Sequence, residues 1–271
     1  MISGIHFKVL CWIIVHLSVI ILLTALTQIG GLIYILSIYI FRKKTTLVKI
    51  SFGLLLYFVS VFLIAPNLSK LFGREALPLS GKIAPYTWIT FILNRHYVTI
   101  ETKASLEKTV EKFTKRHKGT TIFYLDGNFP FIDGFPLLPH LSHSDGKKLD
   151  LAFCYRQNSK PVGQSASFIG YGFYEGPTLS ETNSAEVCRK KGYWQYDLIG
   201  KLIPLPDQNS YTVDVKRTSD LVKLLHAESA THKIFLEPHL KNRWGLKSMK
   251  KIRFHGCQAV RHDDHIHWQI R

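Results

Sequence analysis

Residues 261–271 read R-H-D-D-H-I-H-W-Q-I-R, with His265 and His267 two positions apart. On a β-strand alternate side chains share a face, so both imidazoles point into one site. Two histidines do not close a metal site, and a second group of ligands lies far upstream. Residues 141–150 read L-S-H-S-D-G-K-K-L-D, with His143 and Asp150 on either side of a tight Asp145-Gly146 turn. The following L-D-L-A-F reads as a strand that would deliver Asp150. Two imidazoles and one carboxylate, with one coordination position open, form the ligand set of a catalytic zinc rather than a closed structural one. Other divalent ions accept the same set.

The remaining histidines are weaker signals. His96, His117 and His226 are expected on the surface, whereas His140, His232, His239 and His255 are expected either near the cleft or in packing. Asp263 and Asp264 could fix imidazole tautomers from behind the ligands. Asp263 is preferred, because Asp264 is out of phase with both His265 and His267. Ser142 and Ser144 are further candidate donors.

The chain that must position these residues has 271 of them, enough for one core plus a membrane region. Residues 1–69 contain no Asp or Glu and only five of the 35 Lys and Arg, leaving 30 bases against all 19 acids, a net of about +11 beyond residue 69. Such a surface favours an anionic partner. Residues 9–26 form an uncharged run of spanning length, residues 29–41 a shorter one, and residues 50–65 a third that Pro66 should end. A turn is expected near Gln28. The basic loop at 42–49 should stay in the cytoplasm, which puts everything after Pro66 outside.

The expected organisation is a membrane region at 1–66 with two to three transmembrane helices, a linker and peripheral element at 67–103, and the metal domain at 104–271. Within the domain, 96–102 alternates like a strand, 104–117 reads as an amphipathic helix stopped by Gly119, and 120–125 reads as a strand. The loop at 128–140 is stiffened by Pro130, Pro136 and Pro139. Residues 149–155 read as a central strand, with Cys154 a small core residue. Residues 157–177, rich in Gly, Ser and aromatics, line a substrate or form a surface insertion. A helix is expected from Ser219, a strand at 233–236, and a helical turn from Pro238. No C-x-x-C pair is present; one disulfide is expected if the domain lies outside the cytoplasm, with Cys188 and Cys257 the first choice. The fold class is α+β, a small antiparallel sheet carrying the ligands with helices on its outer face.

The H-S-D-G-K-K-L-D and D-D-H-I-H motifs resemble those of the LAS-type zinc peptidases, the family of lysostaphin, D-Ala-D-Ala peptidases and the hedgehog domain. The order His262, His265, His267 is most similar to that of the penicillin-insensitive murein endopeptidases. The resemblance covers roughly residues 120–271. It implies that His143, Asp150 and His267 hold one zinc ion per chain, that His265 is the unligated catalytic histidine, and that His262 is a second active-site histidine. The E-x-W-H motif of the D,D-dipeptidases is absent, so Glu237 is not assigned as a general base.

The function expected is therefore a membrane-anchored zinc metallopeptidase acting on peptidoglycan, as an endopeptidase or D,D-carboxypeptidase. It would face the periplasm or the extracytoplasmic side of the inner membrane, where a membrane protein partner could control access. One alternative is a non-catalytic zinc-containing module that binds cell wall or protein. A zinc nuclease is disfavoured by the external placement and the lack of a nuclease motif, so no nucleic-acid partner is expected.

Overall fold

A computed structural model describes residues 4–197 and 210–271. The chain begins with three apolar helices, Gly4–Thr27, Gly30–Ile40 and Thr46–Val59. The turn between the first two falls at Gln28, which adopts a left-handed φ of 67°. Gly30 and Gly31 then let the second helix pack tightly on the first, since a Cβ at either would strike Thr27 or Thr24.

Pro66 does not end the third helix, contrary to expectation. The backbone widens into a π-turn at Ser60–Ile64, where Ala65 N–H reaches back five residues to the Ser60 carbonyl. That local widening accommodates the missing proline N–H, and helical structure runs on to Phe72, where Gly73 turns left-handed at φ 67°. Two helices, Phe7–Thr27 and Thr46–Phe72, are long and apolar enough to cross a membrane, and both leave nearly all their side chains unburied by protein. The 11-residue Gly30–Ile40 helix is also apolar but is shorter, about 16 Å at 1.5 Å per residue.

Beyond the helices, the centre of the domain is a six-stranded sheet. Its strands are β2 (Ile83–Pro85), β4 (Ile122–Tyr124), β5 (Lys148–Ala152), β9 (Thr231–Phe235), β10 (Ile252–Arg253) and β11 (His265–Ile270). The order is β10-β9-β11-β5-β4-β2. The four middle strands are antiparallel, but both edge pairs, β10 with β9 and β2 with β4, are parallel, so the sheet is mixed rather than purely antiparallel. The parallel edges arise because helical connections return the chain in the same direction. A two-stranded ladder, β1 (Arg74–Ala76) with β3 (Tyr97–Thr99), and a three-stranded one, β6 (Tyr155–Gln157) between β7 (Lys160–Val162) and β8 (Tyr211–Val213), flank it.

Residues 67–103, expected as a linker, are threaded into this domain: they supply β2 to the main sheet, and Tyr97 bridges to Asn128. The strand expected at 96–102 stops at Thr99. The Thr99 hydroxyl accepts from Thr102 N and starts the Ile100–Arg116 helix earlier than its apolar pattern suggested. Similarly, the helix expected from Ser219 begins at Val215, because the Asp214 carboxylate caps it by accepting from Arg217 N at 3.0 Å.

Period-two alternation divides the sheet. Leu149 and Leu151 of β5, with Ile266, Trp268 and Ile270 of β11, face one side, where Leu106, Val110 and Phe113 of one helix and Leu221, Val222 and Leu225 of another cover them. Trp268 is fully buried there, and its indole N–H donates to Thr231 Oγ1 at 2.8 Å. Burying such side chains contributes roughly 1.5–3 kcal/mol each. The intervening residues, Asp150, His265 and His267, are thereby forced to the opposite face. Cys154 is buried in the core, and Cys188 and Cys257 form the expected disulfide.

Candidate metal centre

β5 and β11 run antiparallel in a register that places His267 opposite Asp150 and His265 opposite Ala152. His143 arrives from the loop before β5. Its position is set by the Asp145-Gly146 turn, where Asp145 Oδ1 accepts from Lys147 N at 3.0 Å and Gly146 takes a φ of 73°. Arg74 clamps the turn from outside, donating to the Asp145 carbonyl and to Asp133. Asn128 clamps it from within, its side chain bonding Gly146 N at 2.9 Å and the Lys148 carbonyl at 2.8 Å.

Three ligand atoms converge. His143 Nε2 lies 3.1 Å from His267 Nδ1, His267 Nδ1 lies 2.8 Å from Asp150 Oδ1, and His143 Nε2 lies 3.3 Å from Asp150 Oδ1. All three residues are buried, and the group could hold a metal ion. The donor set fits one. His143 Nδ1–H donates to the Gly127 carbonyl at 2.8 Å, which leaves the Nε2 lone pair directed at the other two ligands. Metal–nitrogen bonds of about 2.0–2.1 Å in tetrahedral geometry give ligand edges of about 3.3 Å, close to the triangle observed. Two imidazole lone pairs 3.1 Å apart also need a proton or a cation between them. Around the triangle, His140 Nε2, His265 Nε2 and His267 Nε2 are buried without a hydrogen-bond partner.

His265 does not share a ligand edge with the triangle; its Nε2 is 3.7 Å from Asp150 Oδ2, and its Nδ1 bonds Asp264 Oδ1 at 2.5 Å. Asp264, rather than the preferred Asp263, therefore orients the neighbouring histidine. Asp264 lies just before β11, outside the pleat, so its side chain is free to turn along the chain onto His265. Its second oxygen accepts from Gly172 N at 2.6 Å. Asp263 instead pairs with Arg261 at 2.6 Å. The His262 ring lies tilted 5.0 Å from the His265 ring and edge-on 5.6 Å from the His267 ring; its backbone N–H donates to Glu237 Oε1 at 3.3 Å and its carbonyl accepts from Glu237 N at 3.2 Å.

Some site residues were not singled out from sequence. Tyr171 donates to Asp150 Oδ2 at 2.8 Å, so the Gly- and Ser-rich segment packs onto the site rather than forming a detached insertion. Asp126 accepts from His140 at 3.0 Å and forms an ion pair with Arg95 at 3.0 Å, which sets His140 Nδ1 3.4 Å from Asp150 Oδ2. His140 was open between cleft and packing, and its position three residues before His143 was the available signal. Of the others, His96 is buried rather than on the surface and His232 is exposed, while His255 stacks on Phe235 at 3.9 Å with its ring 5.3 Å from that of His262, at the rim of the site.

The charges are strongly coupled. Burial opposes the Asp150 charge, yet His143, His265 and His267 together hold its carboxyl well below the usual range. Burial opposes the His265 charge as well, but Asp264 and then Asp150 outweigh it and raise His265 to about 9. Burial lowers His267 to about 3, which leaves it neutral with a lone pair to share. Burial, helped by the neighbouring histidines, holds His262 well below its ordinary value.

Compared with known proteins, the chain matches no protein-family model and no curated protein sequence.

Proposed function

We propose that this chain is a membrane-anchored zinc peptidase that hydrolyses amide bonds in peptidoglycan peptides. The observation that carries the reading is the placement of a clamped, unligated His265 beside the His143–Asp150–His267 triangle. A bound zinc would supply Lewis acidity to the scissile carbonyl and lower the pKa of water to about 7. His265, fixed by Asp264 with its Nε2 toward the triangle, is placed to exchange a proton with water or with the carbonyl oxygen, and His262, whose ring lies 5.0 Å away, is a second imidazole able to share that proton work. Water adds across the amide, giving a carboxylate and an amine.

A non-catalytic binding module would use the ligand triangle but leaves the Asp264–His265 pair without a task. The basic loop at 42–49, the two long apolar helices and the Cys188–Cys257 disulfide all support a domain on the extracytoplasmic side of the inner membrane. The basic surface suits an anionic wall polymer. The test is digestion of purified muropeptides by the full chain in detergent, followed by mass analysis, with and without chelator. Chelator-sensitive release of defined fragments, abolished by His143→Ala, is expected. Equal digestion by parent and variant would overturn the reading.

A further inference from the structure

The metal domain is not held at a distance from its spanning helices. Gln28, at the turn after the first span, accepts from Phe131 N at 2.9 Å through its side chain, and Asn94 Nδ2 donates to the Thr27 carbonyl at 3.4 Å. The Tyr57 hydroxyl bonds the Ile92 carbonyl, and the Phe62 and Phe91 rings are 4.8 Å apart. Phe72 and Phe131 meet at 5.3 Å. The domain therefore docks through 88–94 and through the start of the 131–141 loop. It docks against the Thr27 end of one long apolar helix and against residues 57–72, the C-terminal part of the other, Thr46–Phe72.

Exposed apolar side chains adjoin the junction residues: Leu71 beside Phe72, Ile92 beside Phe91 and Ile132 beside Phe131 in the chain, with the Trp88 ring 5.7 Å from that of Phe91. Leu71 is 81% exposed, Trp88 59% and Leu141 59%, and Ile92, Ile132 and Leu138 are exposed as well. Single exposed leucines need no explanation, but a group of them adjoining long apolar helices does. Trp88 has the amphipathic ring favoured at membrane interfaces. Two of these residues lie beside the site in the chain: Leu141 follows His140 and lies two residues before His143, and the Leu138 carbonyl is held at 2.5 Å by Arg95, the residue that also fixes Asp126.

We infer that this face is seated in the leaflet into which the Thr27–Gln28 turn emerges, so that the metal site opens at the lipid surface and its substrates are peptides tethered to that membrane. The lipid contact stands on the junction and the exposed apolar side chains alone; the choice of a peptide substrate rests on the peptidase reading above. Confinement of enzyme and substrate to one surface raises the effective concentration and removes the need to capture soluble peptide.

The experiment uses the full chain in nanodiscs of phosphatidylcholine and phosphatidylglycerol, in a Cys11→Ala, Cys154→Ala background, with a nitroxide at Ile132→Cys, Leu138→Cys or Leu141→Cys. Lys115→Cys, on the exposed side of the helix that covers the opposite sheet face, is the control. Collisions with oxygen and with a water-soluble nickel chelate report depth. Labels at 132, 138 and 141 are expected to favour oxygen and exclude nickel, with the reverse at 115. Nickel access at all three loop positions equal to that at 115 would overturn the inference. In the same nanodiscs without labels, a muropeptide coupled to a lipid is expected to be cleaved roughly tenfold or more faster than the same peptide in solution. Equal rates would overturn the tethered-substrate half. Cleavage of neither peptide, with the loop labels still submerged, would sink the peptidase reading and leave the lipid contact standing.

Discussion

Asp150 and His267 are direct cross-strand partners on β5 and β11, and their facing ligand atoms lie 2.8 Å apart across the ladder. The pairing ties two halves of the candidate metal centre, 117 residues apart in sequence, to the hydrogen-bond register of a central sheet. A one-residue slip would send His267 and His265 into the apolar core and Trp268 into the site, so core packing and site assembly enforce the same register.

Asp150 supplies the only carboxylate of the triangle. Asp150→Asn keeps the shape and removes the charge. It is expected to weaken zinc binding by more than the roughly 10–100-fold typical of an outer partner. Metal content by elemental analysis and titration calorimetry on the full chain check this; unchanged affinity would show that the triangle is not the metal site.

Asp264 positions His265 without joining the triangle, and it also accepts from Gly172 N. Asp264→Ala should slow muropeptide hydrolysis by about 10–100-fold while zinc content is retained. A full rate, or loss of metal in step with the rate, would remove the positioning role.

Gly146 holds the turn between His143 and Asp150 at φ 73°, and a Cβ there would collide with the Arg74 guanidinium. Gly146→Ala should cost about 1–2 kcal/mol from the left-handed backbone alone, with more from displacing Arg74. Lowered thermal stability accompanied by weaker zinc binding is expected, and a variant indistinguishable from the parent in both would contradict the clamp.

His96 is buried between Phe91 and Tyr97, and burial lowers its pKa to about 3. Its unfolded value is about 6.5, so the unfolded chain binds the extra proton below that pH. The stabilising contribution is complete above about 6.5 and is lost as pH falls from there toward 3. His96→Phe should flatten the acid limb of the stability curve by up to about 1.4 kcal/mol per pH unit. Denaturant titrations of both proteins between pH 7 and 5 read the difference, and parallel curves would show that His96 titrates normally.

Local patterns were enough to anticipate the two ligand-bearing motifs, the strand carrying Asp150, the turn at Gln28, the long apolar helices and the disulfide pair, whereas the choice of His267 over His265 for the triangle came from the family resemblance. Each is written in neighbouring residues: alternation in L-D-L-A and H-I-H-W-Q-I, a Gly after an Asp at a tight turn, uninterrupted apolar runs. The disulfide was a choice among few cysteines. The helix starts at Ile100 and Val215 were misplaced because capping by Thr99 and Asp214 overrode the apolar pattern, and Pro66 was absorbed by a π-turn.

What tertiary structure alone decided is everything set by contacts distant in sequence. One parallel edge of the sheet depends on β2 crossing to β4, which makes part of the expected linker and peripheral element a strand of the domain. Tyr171 on Asp150, Arg95 on Asp126 and Gly172 on Asp264 join segments 21, 31 and 92 residues apart, a span over which side-chain period carries no information. The contacts of the long Thr46–Phe72 helix with the domain, Phe62 on Phe91 and Phe72 on Phe131, likewise exist only once the chain is folded, because their members are distant in sequence.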